Sequence, residues 1–156
     1  MQVIQLPRME SFKRVIFAKR IVALNETFAP LGGHGQVYAF IWDETIAGRT
    51  AADILSVFHY YLVLNGARPK IKLWSDNCSS QNKNWNLFVH IILLINSVHT
   101  STIQIEFAYF ESDHTFMSAD SFHHAVESSM KKCGKVYTFP DFSTCVKNAG
   151  TKPNDI

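Results

Sequence analysis

Two stretches of this sequence set chemically capable side chains directly after an apolar run. The first is Trp74-Ser75-Asp76-Asn77-Cys78-Ser79-Ser80-Gln81-Asn82-Lys83-Asn84. Asp76 stands where an open α/β sheet builds its sites, just past the carboxyl end of a strand. Gln81 and Asn82 suit contact with a ligand, or equally the closing of a loop and the capping of a helix. Cys78 reads as a small structural hydrophobe. The second stretch is Glu111-Ser112-Asp113-His114-Thr115-Phe116-Met117-Ser118-Ala119-Asp120. His114 there would order its loop or polarise a phosphate. On the helix that follows, Asp120, His124 and Glu127 are spaced four and seven residues apart, on roughly one face. A carboxylate in a first helical turn also serves as a dipole partner. Asp120 therefore gains chemical meaning only in company with Asp76.

The elements that must position these residues follow from periodicity. Residues 12–28 are rich in Val, Ile and Phe and read as one strand or two short ones. Pro30, Gly32, Gly33 and Gly35 mark a turn, and 36–43 alternates as a second strand, giving an antiparallel hairpin with a long loop. Gly48 and Thr50 precede an apolar face at Ile54, Leu55, Phe58, Tyr61 and Leu62, which is helical spacing. Asn65-Gly66 ends that helix. Residues 70–75 form a short strand, 84–97 a helix apolar almost all round and therefore buried, and 102–110 an alternating strand. Ser118 is the N-cap expected for a helix to Lys132, with Lys131 and Lys132 in its last turn and Gly134 stopping it. Residues 1–11 read as a lead-in and 136–156, with Pro140 and Pro153, as an irregular tail.

Composition bounds what such a chain can be. Its 156 residues are 47% hydrophobic and 18% charged, enough for one core without a disulfide or metal staple. A net charge of +2 permits nucleic-acid binding without indicating it. Three cysteines without Cys-x-x-Cys spacing do not make a disulfide framework and suggest reduced thiols. His114, His123, His124, Cys133 and Cys145 match no standard zinc spacing. Lys13, Arg14, Lys19 and Arg20 could follow a DNA backbone, but also suit a solvated strand edge. Charged residues near the start leave no room for a signal peptide, and the longest apolar stretch, 87–95, falls short of the about 20 residues a bilayer needs. No membrane partner is expected, and an intracellular location is.

The runs WSDNCSSQNKNW, FESDHTFMSADSFHHAVE and, upstream, WDETIAGRTAADILS resemble an uncharacterised eukaryotic family of transposon-derived proteins. The resemblance covers about residues 8–135, and its most specific part is the segment from Asp76 to Asn84. It implies an RNase H-like domain of DDE transposase type over 12–135, with DNA as partner and the nucleus as compartment. In such enzymes carboxylates hold two Mg²⁺ or Mn²⁺ ions about 3.5–4 Å apart for in-line phosphoryl transfer. One acid lies on the first strand, one just after the strand beside it and one on a late helix. The resemblance carries the second role to Asp76 and the third to Asp120. The first falls on Asn25, which has no charge to offer. Glu26 is its neighbour, but strand alternation turns it to the opposite face. Asp43 could replace it only if 37–43 paired in parallel with 70–75. Asp113 stands where the family has Gly, a second departure.

The expectation is thus a mixed α/β, RNase H-like sheet, with helices on both faces and a degenerate metal site at Asn25, Asp76 and Asp120. The competing reading is a scaffold or binding module that keeps the fold without the chemistry.

Overall fold

A computed structural model describes residues 1–9, 19–32, 35–76, 83–111 and 118–150. The elements in chain order are β1 (Gln2–Leu6), β2 (Arg8–Met9), β3 (Ile21–Phe28), β4 (Tyr38–Asp43), α1 (Ala51–Leu64), β5 (Lys70–Ser75), α2 (Trp85–Ile95), β6 (Gln104–Tyr109), α3 (Ser118–Cys133), β7 (Lys135–Val136) and α4 (Phe139–Gly150). The class is mixed α/β. The chain divides into two compact units, residues 1–48 with 117–156, and residues 49–116.

The first unit is built on a three-stranded antiparallel sheet ordered β1-β3-β4. The hairpin expected from the Gly-rich turn is present, with Ala23 opposite Asp43 and Phe28 opposite Tyr38. The sequence reading of 1–11 as a lead-in is corrected. Gln2 to Leu6 pair with Asn25 to Ile21, and Ile4 and Leu6 alternate into the core while Val3 and Gln5 face outward. Both edges of β3 are therefore held by antiparallel neighbours. Among the described residues the ladders are β4 antiparallel to β3 and β5 parallel to β6, and none of them is the parallel pairing of 37–43 with 70–75 that would have recruited Asp43.

Residues opposite one another on paired strands share a face. Gln2, Asn25 and Ile41 thus lie on one side of the sheet, with Ile4, Ala23 and Asp43 beside them. This is the side covered by α3 and α4. Ile4, Leu6 and Ala23 pack with Val126 and Met130 of α3 and with Phe142, Cys145 and Val146 of α4. Gly134 ends α3 at φ +71°, a left-handed conformation that glycine adopts at little cost. A short pairing of β2 with β7 follows.

The expected irregular tail is also corrected, since 139–150 is a helix. Pro140 sits in its first turn, where no intrahelical partner awaits its missing N–H. Asp141 accepts from the backbone N–H groups of Tyr137 and Thr138, while Thr138 Oγ1 accepts from Asp141 N, closing the helix start.

In the second unit α1 begins with a full capping box. Thr50 Oγ1 accepts from Asp53 N, and the Asp53 carboxylate accepts from Thr50 N at 2.8 Å. Its buried residues are Ile54, Val57, Phe58 and Leu62. Gly66 follows for a reason other than backbone handedness: a Cβ there would lie 2.8 Å from Thr100 Oγ1. β5 and β6 pair in parallel from Lys70–Gln104 to Ser75–Tyr109, the geometry that requires a crossover such as α2. Phe107 of β6 meets Phe58 of α1 and Phe88 of α2. Contrary to the expectation from its composition, α2 is not buried all round. Leu87, Ile91 and Leu94 face inward, while Trp85, Val89, Ile92 and Leu93 are exposed, Trp85 at 81%. No helix among the described residues is long and apolar enough to cross a membrane.

Candidate functional site

Asn25, expected at the degenerate first position, belongs to a connected hydrogen-bonded network on the helix-covered face of the first unit's sheet. Asn25 sits mid-strand on β3 and is 0% exposed. Its Nδ2 donates to Gln2 Oε1 at 3.3 Å, and its Oδ1 accepts from the Thr27 hydroxyl at 3.1 Å. Gln2 Nε2 in turn donates to Glu127 Oε1 at 3.2 Å and to the His123 carbonyl at 3.4 Å. The other Glu127 oxygen is 2.7 Å from Arg8 in an ion pair.

His123 closes the network from the helix side, with Nε2 at 3.1 Å from Thr27 Oγ1. Thr27 gives its proton to Asn25, so it accepts from His123, and Nε2 carries a hydrogen. Burial holds the His123 pKa below the ordinary 6.5. The Met1 amino group adds to that effect, and Asp120 opposes it. His123 is therefore a neutral Nε2–H donor at neutral pH. A hydroxyl and an amide buried in the sheet are satisfied this way, which avoids the cost of about 1–3 kcal/mol for an unpaired polar group.

His124 is exposed, and it is His123 and Glu127, one helical turn apart, that meet the sheet. Asp120 lies in the first turn of α3, half-buried and near enough to His123 to act on its charge. Asp43 and Glu44 work locally: Asp43 accepts from the backbone N–H and the hydroxyl of Thr45, and Glu44 accepts from Val22 N. Glu26 pairs with the Met1 amino group at 3.7 Å, on the face opposite Asn25 as alternation requires.

Asp76 belongs to the second unit, half-buried at the carboxyl end of β5, with its backbone carbonyl accepting from Ser75 Oγ. Asn84 caps α2 by accepting from Leu87 N at 2.9 Å. Lys83 lies 4.5 Å from the centre of the Tyr109 ring. Cys78, Gln81, Asn82, Asp113 and His114 lie outside the described residues, as do Lys13 and Arg14. Arg20, from the same basic segment, donates to Gln5 across the β1–β3 edge, at an exposed position.

Mg²⁺ keeps several waters in a near-octahedral shell. Asn25 is sealed from solvent with its amide nitrogen turned to Gln2 and its oxygen to Thr27, so it does not fit the first ligand position of a two-metal site. Among the described residues no three His, Cys, Asp or Glu side chains are grouped to hold a metal ion.

Comparison with family models places residues 31–156 in DUF7869, a domain of unknown function. The chain belongs to this family. The matched span includes Asp76 and Asp120 and begins after Asn25. No curated protein and no solved structure matches the chain.

Gln2, Thr27 and His123 were not singled out in the sequence as site residues. Their signal lay in the alternation of Gln2 with Ile4 and Leu6, which marks a strand. A partner for that strand 23 residues away cannot be read from local pattern.

Proposed function

We propose that this chain is an RNase H-like domain of DDE transposase descent that works as a non-catalytic, DNA-binding module. The order of strands and helices and the motif runs around Asp76 and Asp120 support the ancestry. The observation that carries loss of catalysis is Asn25. In this reading Asn25 stands for the first acid, and it is a fully buried amide engaged at both ends. The sheet departs from the ancestral plan in the same place, because both edges of β3 are filled by antiparallel strands. A two-metal site needs a carboxylate from that strand to balance the charge of the ions, and an amide sealed under α3 offers none.

Wild-type protein and Asp76→Ala are incubated with supercoiled and oligonucleotide DNA in Mg²⁺ or Mn²⁺. Neither is expected to nick or join DNA, and both should bind an oligonucleotide duplex with an affinity that falls as salt rises. Metal-dependent nicking by the wild type that Asp76→Ala abolishes would restore the catalytic reading. Failure of both proteins to bind DNA at low salt would remove the DNA-binding role.

A further inference from the structure

Cys133 closes α3 and Cys145 lies in the middle of α4, twelve residues on. Their sulfurs are 3.4 Å apart, with the Cys145 thiol donating to Cys133 Sγ. The two sites differ in access. Cys133 is exposed, whereas Cys145 is 1% exposed within the core formed with Val126, Met130 and Phe142. We propose that Cys133 and Cys145 are a reversible dithiol–disulfide pair that locks α4 onto α3 under oxidising conditions.

Only a short approach of the sulfurs separates contact from a bond, which needs about 2.05 Å. Cys133 can yield because it is the last residue of α3 and is followed by Gly134. The division of labour follows from access. Burial, and then the hydrogen bond to Cys133, pushes the Cys145 thiol up to about 11, so it remains protonated at neutral pH. Cys133 is the sulfur that a dissolved oxidant meets.

With a low-molecular-weight disulfide such as oxidised glutathione, the Cys133 thiolate attacks one sulfur and expels one glutathione thiolate, leaving a mixed disulfide. Cys145 then gives its proton to solvent base or to the departing thiolate. Its sulfur attacks Cys133 Sγ and expels the second glutathione. Two protein thiols become one disulfide and one oxidised glutathione becomes two thiols, so atoms and electrons balance. The bond closes a short loop that contains the start of α4 and limits the freedom of the unfolded chain.

The test uses full-length protein carrying Cys78→Ser, so that no third thiol competes, equilibrated over a series of oxidised-to-reduced glutathione ratios. Intact mass under non-reducing conditions should show loss of two hydrogens, and peptide mapping should place the link between Cys133 and Cys145. The oxidised form should melt roughly 5–10 °C higher and return to its original midpoint with dithiothreitol. In Cys145→Ser the reaction should halt with one glutathione on Cys133. Cys133→Ser, a change at an exposed position, should take up none. Cys78→Ser protein that halts at the mixed disulfide, or remains a free dithiol in fully oxidised glutathione, would overturn the proposal. So would a linked form that melts lower than the reduced one.

Discussion

Replacing Asn25 with Asp tests whether this buried position is a structural amide or a vacated metal ligand. The two side chains have nearly the same shape, so packing is unchanged and only hydrogen bonding and charge differ. In the structure Asn25 Nδ2 donates to Gln2 Oε1, and Gln2 cannot turn its own amide to compensate without releasing Glu127 and the His123 carbonyl. Asn25→Asp loses that bond, worth about 0.5–1.5 kcal/mol, and sets two acceptors face to face at a cost of about 1–3 kcal/mol. A loss of about 2–4 kcal/mol at pH 8 is expected. The new carboxyl, sealed from water, has its pKa raised in the folded state. The folded variant therefore holds a proton that the unfolded chain has released above about pH 3.9. Relative to wild type its stability is greatest at low pH and is lost as pH rises through the folded value. Urea unfolding of both proteins at pH 5 and pH 8, with and without Mg²⁺, reads all of this. The gap between the proteins should be smaller at pH 5, and Mg²⁺ should leave both midpoints in place. If the position were a metal site, Mg²⁺ at 100 times its dissociation constant would stabilise the variant by about 2.7 kcal/mol. That rescue, or a variant as stable as wild type at pH 8, would refute the structural role of the amide.

Other expectations rest on single contacts. Phe142 of α4 is fully buried against α3 and the sheet, and Phe142→Ala should cost about 3–5 kcal/mol in chemical denaturation. An effect under 1 kcal/mol would mean that α4 contributes little to the core. His90 lies 3.0 Å from His59, and burial first, then the charge of His59, holds its pKa below 6.5. Its contribution is complete above about pH 6.5 and is lost as pH falls through the lowered folded value. The wild type should therefore lose stability on acidification more steeply than His90→Gln, and parallel profiles over pH 5–8 would exclude this contribution. Asp141 is held below its ordinary 3.8 by hydrogen bonds, first from the Thr138 backbone, then from the Thr138 side chain and the Tyr137 backbone. The start of α4 should be firm above pH 3.8 and fray as pH falls through the folded value, whereas Asp141→Asn should show no such step in amide exchange of residues 139 and 141–143.

Several elements were legible because their signal is local. The four-residue spacing of Ile54, Phe58 and Leu62 fixes the inner face of α1, and Thr50 stands at its start. The turn chemistry at 30–35 implies the β3–β4 hairpin, and alternation on β3 correctly separates Glu26 from Asn25. Pro140 misled because proline reads as a breaker until its place in a first turn is known. On α3, spacing alone grouped Asp120, His124 and Glu127, whereas packing turned His123 toward Thr27.

The amino-acid order alone determined β3 to β6 and α1 to α3 of this protein, since hydrophobic period and turn preference act over a few residues, whereas β1 and α4 emerged only in the folded chain. Tertiary structure decided which strands flank β3, which histidine meets the sheet, and that Cys133 and Cys145 touch. Those outcomes depend on partners up to about a hundred residues away, and such a choice is made by how whole faces pack and exclude water, which no short window of sequence encodes.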